Sequence, residues 1–218
     1  MRKPWAVIFC VAGAILNIVI NQLLKLSGIP LYLDTILTIA VTFNCGLFWG
    51  ILCGALTNIV GHSIWFWGWE GYLFTLCSIA SAVLTWLFIR FFSHELAIAA
   101  ETREPDIPYG LKSSRLKMIM DSVIVLVLLS FAMCLVMSIL GGTLTTMILG
   151  INSTLTGERG LSVILLSAQL FKGGLPVLLE EIFGRIPINI IDRFISVFCG
   201  YGIALLTSVF FRKKPSSI

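Results

Sequence analysis

The chain has 218 residues, of which 58% are hydrophobic and 12% charged, with a formal net charge of +4. That apolar share lies well above the roughly 45–50% of soluble domains, so a soluble globular fold is excluded and little chain is left for a separate catalytic domain. The expectation is an all-α integral membrane protein, a single multi-pass domain over 1–218 in the cell inner (plasma) membrane, with lipid as its solvent.

A spanning helix needs about 20 apolar residues, fewer where protein rather than lipid surrounds it. On that criterion about six transmembrane helices are predicted, at about 4–25, 32–44, 46–64, 71–92, 116–140 and 188–211. The first begins after "MRK" and runs apolar from Trp5 to Leu24. No A-x-A-like site follows, so it reads as an uncleaved span rather than a signal peptide. Ala6, Cys10 and Ala14 repeat a small-xxx-small pattern, a strip that can pack inside the protein or receive a partner's helix.

The second predicted helix is short and should sit against neighbours. Asp34, in "LYLDTILTIA", can cap its N-terminus or meet a ligand. In the third, "CGLFWGILCGALTNIVGH" sets Gly46, Gly50, Gly54, Asn58 and His62 four residues apart. Such residues share one helix face, so the glycines offer a smooth packing strip, while Asn58 and His62 need hydrogen-bond partners. "SIWFWGWEGY" follows. Trp65, Trp67, Trp69 and Tyr72 read equally as an interfacial aromatic belt or as the stacking wall of a heteroaromatic ligand, with Glu70 as an acceptor.

The segment 93–115, with its charges and two prolines, is a hydrated loop. If the helices alternate, Arg2, Lys3, Arg90, Arg103, Lys112, Arg115, Lys117, Arg212, Lys213 and Lys214 share one side. The positive-inside rule then makes this loop and both termini cytoplasmic. Asp121 in the fifth helix reads as an interfacial carboxylate. Residues 141–187, broken by glycines and Pro176, are expected to form an outer cap, an extra interfacial or re-entrant helical segment between the fifth and sixth spans. In the last helix, Asn189, Asp192 and Arg193 of "PINIIDRF" either tie outer loops together or face a site.

The six cysteines lie in or beside apolar segments without C-x-x-C or histidine spacing, which points to packing residues and to no metal. "EEIFGR" at 180–185 fits the E-E-x-x-x-R element of the CAAX-type intramembrane proteases. That chemistry needs later histidines, and His62 and His94 both lie upstream. No zinc motif or phosphate-cradling loop is present either, so no enzyme, no cofactor and no nucleic-acid partner is expected.

Taken together, "GIPLYLDTILTIAVTFNCGLFWGILCGALTNIVG" and "DRFISVFCGYGIALL" resemble the substrate-binding S component of an energy-coupling factor (ECF) vitamin transporter, closest to the riboflavin-type branch. The resemblance implies high-affinity capture of a water-soluble vitamin, riboflavin or a similar heteroaromatic, from outside the cell. It also implies partners, a transmembrane T component and two cytoplasmic ATPase subunits, with Ala6, Cys10 and Ala14 matching the family's docking strip and Cys10 departing at its centre. The substrate-binding residues expected are Asp34, Asn58, His62, Trp65, Trp67, Trp69, Glu70, Tyr72, Asn189 and Asp192. A stand-alone ligand-sensing membrane module and a small secondary transporter are the alternatives. The absence of inverted repeats and of a midplane carboxylate couple weighs against the transporter.

Overall fold

The computed structural model describes residues 3–65, 69–96, 112–151 and 177–211. All regular elements among them are helical: α1 (Lys3–Leu26), α2 (Ile36–Cys45), α3 (Leu47–Trp65), a 3-10 helix (Trp69–Phe74), α4 (Thr75–Phe91), α5 (Lys112–Ile151) and α6 (Val177–Phe211). Five stretches are long and apolar enough to cross a membrane, at 4–26, 47–64, 71–91, 119–148 and 178–208.

The second predicted span falls short of that criterion. α2 has 10 residues, about 15 Å of helix, because the chain ahead of it is non-helical and turns at Asp34 and Thr35. Residues 36–42 are all buried, since α1, α3, α4 and α6 all pack on α2. A short, wholly apolar helix is tolerable there because protein surrounds it and lipid does not.

Side-chain pairings fix the helix directions. Asn17 of α1 accepts from the Leu37 backbone N–H of α2 (3.0 Å) and donates to Thr38 (3.2 Å) and to Thr57 of α3 (3.3 Å). Asp192 and Arg193 of α6 meet residues 32–35, while Asn44 at the far end of α2 donates to the Ala204 carbonyl. α2 and α6 therefore run in the same direction. On α5, Ser138 pairs with Asn189 and Thr145 with Arg185, so α5 and α6 are antiparallel. The α1–α2 connection, the end of α3 and the start of α4 thus share one end of the bundle, and the start of α1 and the end of α6 share the other.

Close approaches explain the glycines. A Cβ on Gly54 would lie 3.0 Å from the Ser78 Cβ and 3.2 Å from its carbonyl oxygen, so α3 and α4 touch backbone to backbone there. A Cβ on Gly50 would strike the Thr42 hydroxyl of α2. Gly46 belongs to no strip: at φ +86° it makes the turn between α2 and α3.

Two expectations need correction. The strip Ala6, Cys10 and Ala14 is 3%, 0% and 4% exposed and packs on α2 and α3, with Cys10 and Ala14 in one cluster with Val41 and Cys53. It is buried inside this chain and open to no partner; the outward face of α1 carries Trp5, Ile8, Val11, Ile15 and Leu23 instead. The outer cap expected over 141–187 is partly ordinary helix. α5 continues to Ile151, and α6 starts at Val177 and passes through Pro187. Gly142 permits this, since a Cβ there would lie 3.0 Å from the Ile182 backbone N and Cα, so packing against α6 overrides the glycine's weak helix propensity. Of the cap, 152–176 lies outside the described residues, as does 97–111 of the loop expected at 93–115.

Candidate functional site: a charged layer at one end of the bundle

The α6 segment from Glu181 to Ser196 repeats polar residues at helical spacing, so Glu181, Arg185, Asn189 and Arg193 form one face turned into the protein. Each is at most 7% exposed. In an apolar bundle such residues must be paired.

Asp192 is fully buried. Its Oδ1 accepts from the backbone N–H groups of Tyr32 (2.8 Å) and Leu33 (2.9 Å), and its Oδ2 is ion-paired with the Arg193 guanidinium. Arg193 also donates through Nη1 to the Thr35 hydroxyl (2.8 Å), and its Nη2 lies 3.8 Å from the Asp34 carboxylate. Arg185 donates to Thr145 of α5 (2.7 Å) and to Glu181 (3.4 Å), and its Nη1 reaches the Tyr32 hydroxyl at 3.4 Å. Asn21 of α1 donates to the Tyr32 carbonyl (2.9 Å). These contacts hold the non-helical stretch before α2 in place, including Leu33 at φ +42°, a conformation costing a non-glycine residue about 1 kcal/mol.

Asp34 does not cap α2. The helix begins two residues later, with Thr35 at the cap position and no side-chain cap bond, so the carboxylate is left facing Arg193. Burial pushes the Asp34 carboxyl above the ordinary carboxylate range, opposed by Arg193 and reinforced by Asp192. The Tyr32 phenol is likewise pushed up by burial, against the pull of Arg185. Lys25, at the end of α1, lies within electrostatic reach of Asp34 and of His62.

Near the end of α3, the His62 ring rests on Gly71, where a Cβ would collide with it, and stands edge-on to Tyr72 with centroids 6.0 Å apart. The Tyr72 hydroxyl bonds Ser63 at 3.0 Å. Asn58 is buried and donates to Ser78 (2.5 Å) and to the Gly54 carbonyl (3.3 Å), which makes it a tie between α3 and α4. Asn189 similarly ties α6 to α5 through Ser138 (2.9 Å). Trp67 and the side chains of Trp65, Trp69 and Glu70 lie outside the described residues.

Of the residues expected at a site, Asp34 and Asp192 are brought together, Asn189 is one helical turn away, and His62 and Tyr72 stand beside each other at the end of α3. Sequence reasoning missed Tyr32, Thr35, Thr145, Glu181 and Arg185 as members. A usable signal existed in the four-residue spacing Glu181–Arg185–Asn189–Arg193. "EEIFGR" owes its glutamate and arginine to that ion pair, and no cluster of His, Cys, Asp and Glu fit to hold a metal occurs among the described residues. Searches of family models, curated proteins and solved structures find no match to this chain.

Proposed function

We propose that this chain is the membrane-embedded binding subunit of an ECF-type vitamin transporter, capturing a water-soluble vitamin, riboflavin or a similar heteroaromatic, at the charged end of the bundle. The observation that carries the reading is the charged layer itself. Lys25, Asp34, Arg185, Asp192 and Arg193 gather with Glu181 at one end of a membrane bundle, where ionisable side chains are expensive and mark ligand or ion pathways. Structural ties account for part of it, as Asp192 and Asn189 illustrate. Asp34 keeps 21% of its side chain exposed, which gives the layer contact with its surroundings.

The positive-inside rule puts the opposite end, with Lys3 and Arg90, in the cytoplasm and turns the layer outward. Uptake would then draw its energy from a T component and two ATPase subunits, the partners implied by the family resemblance. The docking surface on this chain is a face other than Ala6, Cys10 and Ala14. Purification in mild detergent followed by mass spectrometry of bound small molecules tests the reading. A heteroaromatic vitamin at about one per chain supports it, and reproducible absence of any bound or bindable small molecule removes it.

A further inference from the structure

Arg185 and Arg193 stand eight positions apart on α6, about 12 Å along its axis, with Asn189 between them. They are 6% and 4% exposed. Both lie on the face of α6 turned into the protein. Their Nη atoms serve Thr145, Glu181, Tyr32, Thr35 and Asp192, but the Nε–H of each is buried with no acceptor among the described residues. Buried N–H groups normally find partners, and a donor on a charged group is the costliest to leave without one.

The formal charges of the layer balance: Lys25, Arg185 and Arg193 stand against Asp34, Glu181 and Asp192. The layer therefore carries two buried donors to satisfy and no net charge to compensate. A ligand bearing net charge would add an uncompensated ion to a poorly solvated site, whereas neutral oxygens or ring nitrogens would fill the donors without disturbing the balance.

The geometry points to Arg185 and Arg193 as ligand-binding residues, their Nε–H groups donating to an uncharged, acceptor-rich molecule and excluding its phosphorylated or otherwise ionised forms. This rests on the capture function proposed above. Both arginines thus serve twice, once through Nη to hold the α1–α2 connection and once through Nε to recognise the ligand.

The test is calorimetric titration of the full chain in lipid nanodiscs with riboflavin and with riboflavin 5′-phosphate, which share ring and ribityl chain and differ in the ionised group. Riboflavin is expected to bind about tenfold or more tighter than its phosphate, and Arg185→Lys to lose about tenfold in riboflavin affinity, the worth of one charge-assisted hydrogen bond. Thermal unfolding checks that the variant is folded; if it is not, the flavin pair alone decides. Equal or tighter binding of the phosphate overturns this inference and leaves capture standing, as does unchanged riboflavin affinity in folded Arg185→Lys. Failure of both flavins to bind overturns the flavin reading and this inference together.

Discussion

Replacing Asp192 by asparagine keeps an acceptor for the backbone N–H groups of Tyr32 and Leu33 but turns an amide toward Arg193. Leaving that guanidinium with only a distant carboxylate should cost about 3–5 kcal/mol, measured as loss of stability on thermal or denaturant unfolding in detergent. Asp34→Asn should cost less than about 1 kcal/mol, because Asp34 is partly exposed and its ion pair with Arg193 is long, 3.8 Å. Asp34 also carries a pH response. Burial raises the Asp34 carboxyl above its unfolded value, so the folded state holds that proton more tightly. Its contribution is complete below the ordinary carboxylate range and lost as pH rises through the raised value. Stability should therefore decline with pH over that interval, and Asp34→Asn should flatten the decline. Both aspartates stand out in the sequence because carboxylates are rare beside apolar runs. Their partners were illegible: Asp192 meets Tyr32 across 160 positions, and no local pattern encodes such a pairing.

Helix contacts in this bundle rest on small residues, since lipid gives helices little hydrophobic reason to associate. Gly142→Leu should force α5 from the Ile182 backbone of α6 and cost about 1–3 kcal/mol or more, whereas Gly202→Ala meets nothing within 4 Å and should leave the unfolding midpoint nearly unchanged. Ala6→Leu should destabilise the isolated chain itself, because Ala6 is 3% exposed, while Val11→Leu on the outward face of α1 should be silent by the same measurement. The ends of α1 and α3 were legible, predicted at about 4–25 and 46–64 and found at Lys3–Leu26 and Leu47–Trp65, because apolar length and polar flanks decide them. The end of α5 and the start of α6 were not. Gly141, Gly142 and Pro187 look like breakers when read singly, yet a neighbouring helix packs against the glycine and the bundle holds the proline within α6. α2 is short and packed against its neighbours, as its length in the sequence suggests, and its 10 residues fall short of a sixth span.

For the molecule as a whole, the helix directions put the α1–α2 connection and His62 at one end and Lys3 and Arg90 at the other. Single cysteines placed at Gly28 and at Ser93 in a cysteine-free background should label from opposite faces of the membrane, Gly28 from outside the cell. Gly28 suits this use only in a flexible connection, since its φ is +70°, so Ser27 is the better-behaved control. The proposed function takes the charge-balanced layer as the outward, ligand-binding end of a subunit energised by others. The decisive measurement is therefore riboflavin handling in proteoliposomes containing this chain alone and together with a T component, two ATPases and ATP. The chain alone should bind riboflavin saturably without concentrating it, and accumulation should appear only with the full set of subunits. Riboflavin concentrated by the chain alone, or no binding in either preparation, would contradict this view of the protein.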